Sequence, residues 1–114
     1  MKPLSTYQCT ATPASAEPLT ESDQSALCAQ VPNWQVVPIN GISQLQRNFK
    51  FDNFVQAIAF ANNISEIAES NDHHPTLLLS YGQVIVNWWS HSIAGLHHND
   101  FVLAAKTDEM YKPQ

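Results

Sequence analysis

Asn40-Gly41 stands between two stretches that read as strands, and no other pair of residues restricts the fold of this chain so tightly. A two-residue type I′ turn needs positive φ at both positions, which Asn and Gly accept at little cost. The dipeptide therefore predicts an antiparallel hairpin. Trp34 to Ile39 reads as its first strand. In the return strand Leu45, Arg47, Phe49 and Phe51 alternate with Gln44, Gln46, Asn48 and Lys50, the period of a sheet with one buried face. Arg47 is the anomaly in the apolar set. A surface arginine at a strand end is the simplest account, and an arginine at a site or interface is the other.

The same order repeats downstream. Asp52 is a suitable N-cap for a long helix. On it Phe54, Ala57, Ile58, Phe60, Ala61, Ile64, Ile67 and Ala68 cover about half the circumference, and Glu69 falls on the margin of that arc. Pro75 stops the helix, which leaves His73 and His74 at its C-terminal end, where the helix dipole favours a positive charge. Thr76 to Ser80 and Gln83 to Ser90 read as strands joined by Tyr81-Gly82. In the second of these Val84, Val86 and Trp88 share one face, while Ile85, Asn87, Trp89 and His91 share the other.

A short helix precedes the first hairpin. Thr20 to Asp23 resembles an N-cap with an acidic residue at the third helical position, and Pro32 ends the segment. The last helix starts near His97, runs to about Tyr111 and holds Asp100 in its first turn. The order α-β-β-α-β-β-α predicts an α+β domain, a four-stranded antiparallel sheet with helices on one face. Its uncovered face, carrying Ile85 and Trp89, is a candidate interface for a homodimer or homotetramer.

At 114 residues the chain is long enough for one domain and no more. That domain spans residues 19–114. Residues 1–18, rich in Pro, Ser, Thr and Ala without periodicity, read as a loose extension without chemistry. The net charge of −5, with only five Lys and Arg, argues against a nucleic-acid partner. Cys9 and Cys28 form neither a metal nor a redox spacing, and no signal-peptide core opens the chain. No apolar run approaches the roughly 18 residues that span a bilayer. A cytoplasmic protein without a membrane partner is expected.

The remaining signal is a cluster of imidazoles from two elements, His73 and His74 from one and His91 from another, with Glu69 and Asp100 nearby. Histidine titrates near neutrality, so such a cluster can give and take protons at working pH. Each residue alone also has a structural account: Asp100 as a helix cap, Glu69 as a solvated helix residue, Trp88 and Trp89 as core or interface. A zinc or iron site is the competing chemistry. Adjacent His73 and His74 diverge in direction, however, and the usual helical ligand pair lies four residues apart. The expectation is no metal and no cofactor.

Glu69-x3-His73-His74-Pro75, followed by Tyr81, His91 and Asp100 at fixed spacings, resembles the signature of the pterin-4a-carbinolamine dehydratases. The Trp34 strand, Leu45-x-Arg47-x-Phe49-x-Phe51 with Asp52-x-Phe54, and Ala94-Gly95-Leu96 extend the resemblance to about residues 19–112. The resemblance implies a dehydratase that removes water from 4a-hydroxytetrahydropterin, in support of aromatic amino-acid hydroxylases. It implies that His73 and His91 do acid–base work while His74 positions the pterin and shares proton transfer. It further implies that Pro75 and the backbone of Ser90, His91, Ser92 and Ile93 line the site, that Glu69 and Asp100 orient imidazoles, and that Trp34 packs on or near the pterin ring. The same family fold also serves as a dimerisation cofactor of a transcription factor, which is the alternative, non-catalytic reading.

Overall fold

The computed structural model describes residues 3–111; the first two residues of the expected extension and the last three of the expected domain lie outside the described residues. α1 (Glu21–Cys28) begins where the sequence signals it, with Thr20 Oγ1 accepting the Asp23 N–H at 3.1 Å. β1 (Gln35–Ile39) and β2 (Ile42–Lys50) are joined by the expected turn, with Asn40 at φ 52° and Gly41 at φ 80°. α2 (Phe54–Asn71) is capped by Asn53 and not by Asp52. Asn53 is extended and its Oδ1 accepts the Gln56 N–H at 2.8 Å, so the helix starts one residue later. β3 (Thr76–Ser80), β4 (Gln83–Trp88), a 3-10 turn over His91–Ile93 and α3 (His98–Met110) complete the chain.

The strands form one antiparallel sheet in the order β1-β2-β4-β3. Leu45 lies opposite Trp88 and Phe49 opposite Val84, and all four, with Val86, are fully buried under α2 and α3. Each such side chain contributes about 1.5–3 kcal/mol relative to exposure. α2 turns a narrower stripe to the sheet than the expected half-circle: Ala57, Phe60, Ile64 and Ala68 are buried, whereas Phe54 and Ile58 are 46% and 36% exposed. A cylinder laid on a sheet covers only its contact line, and residues on the flanks of a wide apolar arc overhang it. Phe54, Val55 and Ile58 are left as an exposed apolar group near the start of the helix.

Arg47 is neither a strand-end surface residue nor part of the cleft described below. It lies on the buried face, opposite Val86, with its guanidinium 2.6 Å from Asp108 of α3 and 4.4 Å from the centre of the Phe49 ring. Burial pushes the Asp108 carboxyl above its ordinary value, opposed by hydrogen bonds from Trp34 and Arg47 and by the arginine's charge.

The uncovered sheet face is more polar than expected. Asn87 joins Gln44 and Gln46 in an amide ladder, donating to Gln44 Oε1 at 2.7 Å and accepting from Gln46 Nε2 at 3.2 Å. Ile39, Leu78, Ile85 and Trp89 border the ladder in a groove of about 520 Å³.

The amino-terminal segment departs most from expectation. It makes a 3-10 turn at Leu4–Thr6 and packs along α3, burying Leu4 and Cys9. Ser5 Oγ donates to Glu109 at 2.6 Å, and Lys106 Nζ donates to the Ser5 carbonyl at 2.9 Å. Isolated apolar residues five apart have neither a helical nor a strand period, so a periodicity reading passes over them.

Candidate active site

The geometry of the site begins at the end of α2. Asp72 takes a left-handed conformation, φ 48° and ψ 46°, and the His73 N–H returns to the Ala68 carbonyl at 3.1 Å. This closure is more often made with Gly. The reversal separates the two adjacent imidazoles: His73 is 5% exposed, whereas the His74 side chain is 52% exposed.

His73 meets the start of α3. His97 is the N-cap, its Nδ1 accepting the Asn99 N–H at 3.1 Å, and Asp100 Oδ2 accepts the His97 N–H at 2.9 Å. Burial pulls His97 below the usual histidine range, with Asp100 acting against it. Asp100 is completely buried, and its Oδ1 lies 2.6 Å from His73 Nε2. Ser90 Oγ donates to Oδ2 at 2.9 Å. A carboxylate receiving two donors on one oxygen and the imidazole on the other acts as an acceptor throughout. The arrangement places a proton on His73 Nε2, and whenever the ring is neutral its lone pair is on Nδ1. Trp88 holds the ring from one side, nearly parallel at 6.0 Å between centroids, and is itself tied to Thr107 through Nε1 at 3.1 Å.

His91 comes from the 3-10 turn and not from the strand. β4 ends at Trp88, and a Ser90–Gly95 bridge with Ala94 at φ 48° turns the chain away from the sheet. The alternation expected to carry His91 on the outer face therefore stops short of it. Its ring stacks on Trp89 at 4.1 Å between centroids.

These pieces enclose a cleft of about 260 Å³. Asp72, His73 and His74 form one wall, His91 and Ser92 another, and Ala11 and Thr12 of the amino-terminal segment a third. Among the expected residues, His73, His74, His91 and Ser92 are thus brought together. Ser90 is fully buried behind the wall, and Pro75 and Ile93 are half-buried outside it. Glu69 reaches His74, with Oε2 2.5 Å from Nε2, and so serves the exposed imidazole while Asp100 serves the buried one. Tyr81 sits exposed in the β3–β4 connection, away from the cleft.

Trp34 is also elsewhere, which corrects its expected place on or near a ring in the site. It is 4% exposed in the core, edge-on to Phe49 at 5.8 Å, with Nε1 donating to Asp108 at 2.8 Å. A large ring beside a strand start is taken up by the core when a buried carboxylate can satisfy its N–H.

Thr12 is the cleft residue that sequence reasoning missed. It is buried, with Oγ1 3.0 Å from Ser90 Oγ and 3.5 Å from His73 Nδ1. Its stretch of Thr, Ala and Pro carries no periodic or motif signal, and only the fold places it beside a histidine 61 residues away. Burial raises the thiols of Cys9 and Cys28 above their ordinary range, so neither presents a thiolate. Among the described residues no group of three or more His, Cys, Asp or Glu is arranged to hold a metal. No helix among them is long and apolar enough to cross a membrane.

Comparison with known proteins places the chain among relatives of one family. Residues 17–110 match the sequence profile of a family described as pterin 4 alpha carbinolamine dehydratase. A Marinobacter nauticus protein, named provisionally as a pterin-4-alpha-carbinolamine dehydratase, is 47% identical over 111 residues, covering 97% of this chain and 100% of its own. A Nitrosococcus oceani protein of the same provisional name is 47% identical over 112 residues, covering 98% and 99%. A Brucella melitensis crystal structure, titled transcriptional coactivator/pterin dehydratase, superposes with a TM-score of 0.76 at 30% identity. It covers 84% of this chain and 100% of that one.

Proposed function

Because the chain belongs to the pterin 4 alpha carbinolamine dehydratase family, we propose that its cleft eliminates water from 4a-hydroxytetrahydropterin by histidine acid–base catalysis. The observation that carries this reading is the 2.6 Å contact of His73 Nε2 with fully buried Asp100, which favours the tautomer with its proton on Nε2 and leaves Nδ1 to accept the substrate's proton. In the reaction Nδ1 of His73 takes the N5 proton, the N5–C4a double bond forms, and the C4a–O bond breaks. The departing hydroxyl takes a proton from His91 and leaves as water, and the product is the quinonoid dihydropterin. The two imidazoles then exchange one proton with solvent.

His91 suits the acid because its stack on Trp89 fixes the ring through its face. His74, paired with Glu69 at the rim, positions the pterin and can relay protons. The elimination changes no oxidation state, so this chemistry asks for no cofactor. In a cell the product would feed reduction back to the tetrahydropterin used by aromatic amino-acid hydroxylases.

The test generates the 4a-carbinolamine in situ and follows its ultraviolet absorbance. Wild type should clear it well above the spontaneous rate, and His73→Ala and His91→Ala should each lose about 10²–10⁴-fold. A wild-type rate equal to the spontaneous one would end the enzymatic reading.

A second reading, of self-association or a docking role without chemistry, is favoured by the exposed Phe54, Val55 and Ile58 on α2 and by the open sheet face. Under it the chain forms homodimers or homotetramers. Val55→Asp should dissociate them in sedimentation if α2 makes the contact, and a monomer in wild type at micromolar concentration contradicts it.

A further inference from the structure

Thr12 lies outside the span matched by the family profile, yet its hydroxyl stands against the reacting nitrogen of His73. The backbone around it is pinned to every element that supplies the site. Cys9 N–H donates to Asn71 Oδ1 at the end of α2 at 3.1 Å, and Ser92 Oγ donates to the Thr12 carbonyl at 2.8 Å. Asn99, in the first turn of α3, donates through Nδ2 both to the Thr10 carbonyl and to Thr12 Oγ1, each at 3.2 Å. Such a strap holds the hydroxyl in place while still forming a wall of the cleft.

A count of protons decides what the hydroxyl can do. Ser90 has one O–H, and it goes to Asp100 at 2.9 Å. Ser90 Oγ can therefore only accept along its 3.0 Å contact with Thr12, so the Thr12 proton lies on that line. One lone pair of Thr12 Oγ1 receives Asn99. The other faces His73 Nδ1 at 3.5 Å, the outer limit of a hydrogen bond and a natural distance for two lone pairs. Neutral His73 thus leaves one acceptor unused. Once Nδ1 carries a proton, that acceptor has its donor.

We infer that Thr12 is a positioning residue for His73, its hydroxyl oxygen receiving the Nδ1–H formed when the imidazole takes the substrate's proton. This deepens the dehydratase reading and rests on it for its kinetic consequence. Because a hydrogen bond to an ion is gained only after proton transfer, its loss appears in kcat and not in KM.

The experiment uses the full chain with Thr12→Val and Thr12→Ser. Thr12→Val keeps the outline of the side chain and removes its hydroxyl, and with it the bonds to Ser90 and Asn99. It should lower kcat about tenfold (about 1.4 kcal/mol) with KM near wild type and some loss of melting temperature, and Thr12→Ser should restore both kcat and melting temperature. In parallel, long-range ¹H–¹⁵N spectra of the imidazoles over about pH 5 to 8 should show neutral His73 with its proton on Nε2. The same spectra should show a protected Nδ1–H on its charged form, lost in Thr12→Val and kept in Thr12→Ser. The inference is overturned if Thr12→Val matches wild type in kcat and in the Nδ1–H signal. It is equally overturned if both variants lose activity together with melting temperature, which marks packing alone. If wild type proves inactive the dehydratase reading fails, and the spectra still decide whether Thr12 meets protonated His73.

Discussion

Two histidine–carboxylate pairs lie at neighbouring residues of this protein, and they differ in almost everything but length. His73–Asp100 spans 2.6 Å with side chains 5% and 0% exposed; His74–Glu69 spans 2.5 Å with side chains 52% and 76% exposed. In the first, water has been replaced by Ser90, the His97 backbone and a parallel Trp88, so the tautomer and plane of the ring are set by fixed partners. In the second, water competes for every donor and acceptor, and the geometry is one of many the two side chains can adopt. Distance alone therefore says little about what an ion pair does. Burial decides whether the pair fixes the plane of a ring or leaves it free to move.

The comparison breaks first at Asp100. Asp100→Ala leaves the His73 N–H, the Ser90 hydroxyl and the His97 N–H without their acceptor, and should cost about 3–5 kcal/mol in urea unfolding. A loss under about 1 kcal/mol would put this pair in the same class as the exposed one. Arg47–Asp108, with side chains 18% and 25% exposed, supplies the intermediate case. Arg47→Ala removes both the ion pair and the contact with the Phe49 ring, and should cost about 2 kcal/mol in the same measurement. A loss as large as that at Asp100 would show that burial is not the ordering variable.

His97 sharpens the comparison through pH. Its folded-state affinity for protons is lowered, chiefly by burial, so between that lowered value and the ordinary one near 6.5 the unfolded chain binds more protons than the folded one. Stability from this group is therefore complete above about pH 6.5 and is lost as pH falls through the lowered value. Protonation also removes the Nδ1 acceptor of the Asn99 N–H, a cap worth about 0.5–1 kcal/mol with solvent screening keeping it small. His97→Asn, which caps without titrating, should flatten this part of the stability–pH curve. An unchanged curve contradicts the assignment. The smallest effect belongs to the rim: Glu69→Ala should change unfolding free energy by less than about 1 kcal/mol, and a larger loss would mean that the exposed pair is structural after all.

What the sequence revealed, and what it hid, divides along the same line. Asn40-Gly41, the Thr20 cap and Pro75 were legible because each acts over a few residues of backbone. His73 and His91 were legible as members of one cleft because their residue type is informative wherever it lies. Which carboxylate serves which imidazole was not. Glu69 stands one helical turn before His73 in sequence, but the left-handed Asp72 reverses the chain and hands that carboxylate to His74. The partner of Arg47, 61 residues on, was equally hidden, although an arginine on an apolar strand face does signal that a carboxylate must lie opposite. Thr12 and Trp34 were misread for opposite reasons. A small hydroxyl in an aperiodic stretch gave no sign of burial, and a large ring that looked available for a ligand was already used by the core.

The central claim is that buried Asp100 holds the Nε2 proton of His73 and so leaves Nδ1 as the base. The most direct measurement is the turnover of Asp100→Asn with its fold intact by circular dichroism, since the amide keeps the shape but disturbs the tautomer. The account predicts a fall in kcat of about 10²–10⁴-fold, alongside little change for Glu69→Gln at the rim. Equal and small effects at the two positions would contradict it.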